Sequence, residues 1–76
     1  MPTVLNINGY RFFFYSNEHL PKHIHIEKAE KTAKFRLDPL ELVNTKGFNA
    51  SELREIRILI QQNINLFITR WNERFN

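Results

Sequence analysis

The sequence predicts a single α+β domain of 76 residues, with an antiparallel sheet first and helices after it. Up to residue 37 the apolar residues form short runs or alternate with polar ones, as in strands. After residue 38 they recur every three or four positions, as in helices. A chain of this length holds one domain. The predicted segments are an antiparallel sheet over 1–37, a short helix and turn over 38–47, and a long helix over 49–76.

Four strands account for the predicted sheet. Asn8 and Gly9 separate an apolar run from an aromatic run, which predicts a hairpin because both residues tolerate the positive φ of a type I′ turn. A polar loop closed by Pro21 follows, and period-two alternation then predicts two more strands. Short connections favour a four-stranded antiparallel β-meander. The predicted strands are 3–7, 10–15, 22–28 and 32–37.

Two helices are predicted in the second half. Asp38 and Pro39, followed by Glu41, have the layout of a capping box, which predicts a short helix over 39–45. Apolar spacings of three and four then predict one long helix over about 50–75, which packs on one sheet face and is straight or bent near Asn63. This helix has more apolar positions than one sheet face needs. We therefore expect a second contact surface and a homo-oligomer.

The composition excludes several classes of function. The absence of cysteine removes a thiol nucleophile, disulfides and Cys-ligated zinc, and no apolar run approaches the ~18 residues of a membrane span. With an N-terminus that is unlike a signal peptide, these features favour a cytoplasmic protein. The formal net charge is +3, and residues 1–37 hold six basic against three acidic residues. This basic half favours an anionic partner such as RNA, and no cofactor is expected.

Strand alternation predicts which side chains face away from the helix. The sheet face that packs on the long helix should bury six side chains: Phe12, Phe14, Ile24, Ile26, Phe35 and Leu37. His23 and His25 then share the opposite, open face. Two imidazoles beside a cation can supply a general base and a general acid for RNA cleavage without a metal, with Lys34 or Arg36 stabilising the phosphorane charge. The predicted catalytic residues are His23, His25 and Lys34. The predicted nucleic-acid-binding residues are Arg11, Phe13, Tyr15, Lys34 and Arg36.

Other interpretations of the His-x-His-x-Glu pattern remain open. The histidines could pack along a half-exposed sheet or a subunit contact. They could also bind a metal together with Glu27, although the sequence indicates no fourth ligand, and we therefore predict no metal site. Phe13 and Tyr15 fit contact with another chain at least as well as base stacking.

Several blocks of the chain, in order, resemble a known family. They are Met1–Leu5, Gly9–Glu18, His23–Ile26, Ala33–Phe35, Leu37–Pro39, Gly47–Phe48 and Glu52–Ile56. Together they resemble the small prokaryotic family catalogued as domain of unknown function 4160. The resemblance implies a small bacterial protein encoded beside a second small protein, as in toxin–antitoxin pairs, and it places the family's His-apolar-His element at His23 and His25. The chain departs at Lys22, where a second proline often precedes the first histidine.

Two functions are therefore expected. The first is a cytosolic bacterial module of toxin–antitoxin type that binds a small protein partner through its helix and RNA through its open sheet face, with RNA cleavage as a further expectation. The second is a non-catalytic interaction module whose aromatic sheet face is itself the partner interface.

Overall fold

The computed structural model describes residues 3–75 and places an antiparallel sheet before two helices. The α+β class and the meander order are confirmed, but the sheet has five strands rather than four. Met1, Pro2 and Asn76, where the predicted sheet segment begins and the predicted long helix ends, lie outside the described residues. The elements are β1 (Thr3–Ile7), β2 (Tyr10–Phe13), β3 (His23–Lys28), β4 (Lys31–Leu37), β5 (Leu40–Lys46), α1 (Ala50–Gln62) and α2 (Ile64–Phe75).

The first hairpin forms as predicted. Ile7 pairs with Tyr10 across the two-residue turn, in which Asn8 and Gly9 have φ angles of 54° and 84°. Positive φ at both central residues matches the twist of the two strands, which is why asparagine and glycine are favoured here. β2 ends at Phe13 rather than at residue 15 as predicted.

The predicted short helix over 39–45 is wrong, because this segment is strand β5. Asp38 and Pro39 form the turn between β4 and β5, and Leu37 pairs with Leu40 across it. Two physical reasons favour the strand. The segment Val43–Lys46 contains β-branched and turn-forming residues that are poor helix formers, and without β5 the backbone groups along one side of β4 would lack their strand partner.

The predicted single long helix is divided at Asn63 into α1 and α2. The Asn63 side chain donates a hydrogen bond to the Leu59 carbonyl (2.8 Å), and its backbone N–H donates to the Ile60 carbonyl (3.1 Å). An asparagine amide that bonds the backbone competes with regular helical bonds. α2 restarts at once, since the Phe67 N–H donates to the Asn63 carbonyl (3.1 Å). The apolar period therefore continues across the break.

The core lies between one sheet face and the two helices. The ring of Phe12 stacks on that of Phe67 with the centroids 5.3 Å apart. The six strand residues predicted to face the helices are all buried: Phe12, Phe14, Ile24, Ile26, Phe35 and Leu37. Within residues 3–75, neither helix combines the length and the hydropathy that a membrane span requires. The other sheet face is left for the polar side chains described next.

Candidate functional site

A loop over residues 14–22 folds back across the beginning of β3. Phe14, at its start, packs its ring edge-on against the ring of Trp71 (5.5 Å between centroids). At its end, the Lys22 carbonyl accepts a hydrogen bond from the Leu37 N–H (2.9 Å). With both ends held, the loop carries Glu18 over the open face of β3.

Glu18 lies against both predicted histidines. Its Oε1 lies 2.9 Å from His23 Nε2, and its Oε2 lies 2.9 Å from His25 Nε2. The second oxygen also accepts a hydrogen bond from the Tyr15 N–H (3.0 Å). We call these three side chains, Glu18, His23 and His25, the Glu–His–His cluster. Its ligand-type atoms all lie within 4.8 Å of one another.

The two imidazoles differ in how they are held. His23 Nδ1 lies 2.8 Å from the Pro21 carbonyl oxygen, so both of its ring nitrogens have a polar neighbour. His25 Nε2 is buried and, among residues 3–75, has no hydrogen-bond partner, because Glu18 Oε2 is close but outside hydrogen-bond geometry. Trp71 lies against His23, with 5.0 Å between the ring centroids. The cluster is therefore a packed part of the fold.

The cluster shifts two pKa values in the same direction for different reasons. Burial alone would raise the pKa of Glu18, but the Tyr15 N–H and the two imidazoles outweigh burial and lower this pKa. Burial lowers the pKa of His25, and it outweighs the opposite effect of the Glu18 charge. Around neutral pH the cluster therefore contains a carboxylate beside a neutral His25.

A cleft of about 430 Å³ adjoins the cluster on the same face. Lys34 and Arg36 of β4 form part of its wall, and Leu20 and Val43 form apolar parts of its rim. Arg36 is paired with Glu41 (2.7 Å). Lys34 has no ion-pair partner within residues 3–75 and lies opposite His25 in the β3–β4 register. The cleft thus combines free positive charge with exposed apolar surface.

The remaining predicted nucleic-acid-binding residues lie on this face, but they already have protein partners. The Arg11 guanidinium lies 4.3 Å above the Phe13 ring and donates hydrogen bonds to Glu27 (2.6 Å) and Thr3 (2.8 Å). The ring of His25 also stacks on Phe13, with 5.5 Å between the centroids. Phe13 is consequently only 2% exposed and presents no ring face to a base. Tyr15 is 45% exposed, although its ring meets that of His25 edge-on.

Two expectations about the histidines need correction. His23 is only 5% exposed, because Glu18 of the loop and the ring of Trp71 both lie against it. The acid near the histidines is Glu18, whereas Glu27, which the metal interpretation used, is paired with Arg11. Period-two alternation could not find Glu18, because the loop residues have no fixed register with β3. The one feature of the sequence that points to Glu18 is that no other acidic residue precedes Glu27.

The fold and the site together define a small α+β protein: a five-stranded meander with two helices on one face and a Glu–His–His cluster beside a cleft on the other. The chain belongs to the family described as "Domain of unknown function (DUF4160)", whose model matches residues 9–72. The match includes the loop, the cluster and strands β2 to β5. No curated protein and no solved structure matches the chain.

Proposed function

We propose that the protein is a cytosolic bacterial interaction module, one member of a toxin–antitoxin-type pair, and that it binds its small protein partner through the cleft on the open sheet face. The main support is the exposed apolar surface at this cleft. Leu20 is 76% exposed and Val43 is 51% exposed, and both line the cleft. Large apolar side chains that are exposed together favour contact with another protein.

The position of the remaining exposed apolar residues favours this face over the helices. Tyr15 adds a third exposed apolar surface to the open face. On α1 and α2 the only comparable residue is Ile58, which is 52% exposed, within residues 3–75. The apolar side chains of the helices are the reason for expecting a partner surface on them. Most of these side chains lie in the core or pack against it. The helices therefore contribute less to the proposed interface than the sheet does.

Charge indicates the kind of partner. Lys34 is unpaired within the described residues. Arg36 forms an ion pair with the exposed Glu41 on the neighbouring strand β5. Positive charge around an apolar centre favours a partner surface with acidic residues around an apolar side chain. An acidic antitoxin-like protein has this chemistry.

A second candidate function is RNA binding, which Lys34 favours. Lys34, which is unpaired within residues 3–75, and the exposed ring of Tyr15 both neighbour His25. An ammonium on this face can contact a phosphate while the ring stacks on a base. The other predicted contacts support RNA less well, because Arg11 covers Phe13 and is itself paired with Glu27. RNA binding is therefore the second candidate, and ribonuclease activity by His25 and Lys34 depends on it.

The partner proposal is tested by affinity capture from extracts of the source cells with matched variants. The wild-type protein is compared with a Leu20→Ser, Val43→Ser double variant and with Ile58→Ser, which changes an exposed residue away from the cleft. Each buried apolar side chain contributes about 1.5–3 kcal/mol, equal to about tenfold or more in affinity. We expect one small protein to be retained by the wild type and by Ile58→Ser, and to be lost from the double variant.

The proposal is contradicted if no protein is captured by the wild type and lost from the Leu20→Ser, Val43→Ser variant. The RNA candidate is measured separately, by fluorescence anisotropy with a generic RNA at low and raised salt. RNA affinity that falls with salt and with Lys34→Gln would support it, since phosphate contacts release counterions. RNA that fails to bind at low salt would exclude the second candidate, and a nuclease role with it.

A further inference from the structure

We propose that the Glu–His–His cluster is a binding site for a divalent transition-metal ion, with Glu18, His23 and His25 as its three protein ligands. This inference is independent of the proposed function, because it concerns the cluster and not the exposed rim of the cleft. It differs from the metal interpretation of the sequence in its carboxylate, since Glu27 is paired with Arg11.

The spacing of the ligand atoms fits one ion. The carboxylate and the two Nε2 atoms lie within 4.8 Å of one another. Bonds of ~2.0–2.2 Å to a common metal hold ligand atoms roughly 3–4.3 Å apart. A small side-chain adjustment therefore suffices to close the three ligands on an ion, and the loop that carries Glu18 is anchored at both ends.

The hydrogen bond from His23 to Pro21 leaves the other ring nitrogen of His23 facing the Glu18 carboxylate. The Pro21 carbonyl can only accept, so His23 Nδ1, 2.8 Å away, carries the ring proton. In the neutral ring, Nε2 then presents a lone pair to Glu18 Oε1 at 2.9 Å. Two acceptors at this distance require a proton or a metal ion between them. A ligating histidine typically donates its other ring N–H to a carbonyl or carboxylate, as His23 does here.

His25 distinguishes a metal ion from a proton. A second proton on His23 satisfies only the His23–Glu18 contact. His25 Nε2 would remain buried without a hydrogen-bond partner among residues 3–75, which is unfavourable for a buried polar atom. One ion bound to both Nε2 atoms satisfies His23 and His25 together. His25 Nε2 thus lies 2.9 Å from Glu18 Oε2 without hydrogen-bond geometry, and this favours an ion between the cluster's side chains.

The ligand chemistry selects the class of ion. Two imidazoles and one carboxylate suit zinc and the neighbouring first-row metals, whereas Mg²⁺ and Ca²⁺ prefer oxygen ligands. Glu18 and His23 also line the cleft, so solvent in the cleft can supply the remaining ligands. The charge of Lys34, which has no ion-pair partner among residues 3–75 and lies opposite His25 in the sheet, opposes cation binding. It keeps the affinity below that of a closed structural zinc site.

The test uses Zn²⁺ with the full chain in calorimetric titrations, with Mg²⁺ as the negative control. We expect one zinc ion per chain. Glu18→Gln and His25→Asn should each weaken zinc binding by more than about 100-fold, because loss of an outer-shell partner alone costs 10–100-fold. His19→Ala is the matched control: it removes the exposed histidine of the same loop and should leave the affinity unchanged. Lys34→Gln should tighten zinc binding severalfold.

A second measurement locates the ion. Trp71 is the only tryptophan, and its ring lies 5.0 Å from that of His23. Co²⁺ bound at His23 should quench its fluorescence, and an excess of Zn²⁺ should restore it. Circular dichroism confirms that each variant is folded before its affinity is compared with that of the wild type.

The proposal is overturned if no zinc binds at one equivalent, or if binding survives in the folded Glu18→Gln and His25→Asn variants. It is also overturned if His19→Ala removes binding, because His19 lines the same cleft and the ligand set would then not be the three proposed residues. Nitrogen NMR also tests the site at neutral pH in the presence of excess zinc. If both ring nitrogens of His23 are protonated, a proton rather than a metal ion lies between His23 and Glu18. None of these outcomes depends on the partner or on RNA, so the two proposals fail separately.

Discussion

Replacing Ile24 by alanine tests the strand alternation on which the site rests. Ile24 is 0% exposed in the central strand β3 and pairs with Phe35 of β4. The substitution removes three buried carbon atoms and leaves a cavity, which costs about 2–5 kcal/mol for isoleucine. At about 0.05–0.15 kcal/mol per residue, a domain of this length has a total stability of about 4–11 kcal/mol. We therefore expect Ile24→Ala to remove a large fraction of the free energy of unfolding.

Urea denaturation measures this loss, with the fluorescence of Trp71 as the probe of the core. Ile58→Ala is the matched control, because it makes the same chemical change at an exposed helix position and should alter stability by less than about 0.5 kcal/mol. A loss below about 1 kcal/mol for Ile24→Ala would refute the reasoning. It would mean that Ile24 does not face the core, and hence that His23 and His25 do not share the open face.

Two further predictions concern alkaline stability and self-association. Burial, together with the hydrogen bond and charge of Glu55, raises the pKa of Tyr10 to about 12. A raised pKa of the folded state favours the neutral phenol, so the contribution of Tyr10 is complete below pH 10 and is lost as the pH rises towards 12. The difference in unfolding free energy between wild type and Tyr10→Phe should shrink over this window, and a constant difference would exclude the coupling. The protein alone should sediment above its chain mass of 9.2 kDa at micromolar concentration, and a monomer mass would contradict the expected homo-oligomer.

The strands of the sheet show how far local pattern determines the fold. Asn8-Gly9 predicts its hairpin because the φ angles of the turn depend on those two residues alone. The alternation over β3 and β4 predicts their buried faces correctly for the same local reason. The sequence predicts a helix in place of β5 because Asp38-Pro39 is compatible with both a helix start and a turn. The choice depends on β4, whose free edge β5 covers.

The helix break and the cluster depend on contacts that no local pattern contains. The apolar period runs unbroken past Asn63, but its amide bonds the Leu59 carbonyl and divides the helix. Glu18 has no periodic relation to β3, and it reaches the histidines only because the loop over 14–22 is held at both ends. Arg11 similarly covers Phe13 through an ion pair with Glu27 on the neighbouring strand.

The sequence by itself determined the class of the domain, the meander order, the buried sheet face and the family, because periodicity, turn chemistry and local residue blocks carry these features. Only the tertiary structure decided the fifth strand, the burial of His23 and the carboxylate that meets the histidines. Those features depend on which groups remain unpaired once the other elements have packed. A loop can satisfy such groups from any position in the chain, so their partners are fixed by three-dimensional packing rather than by spacing.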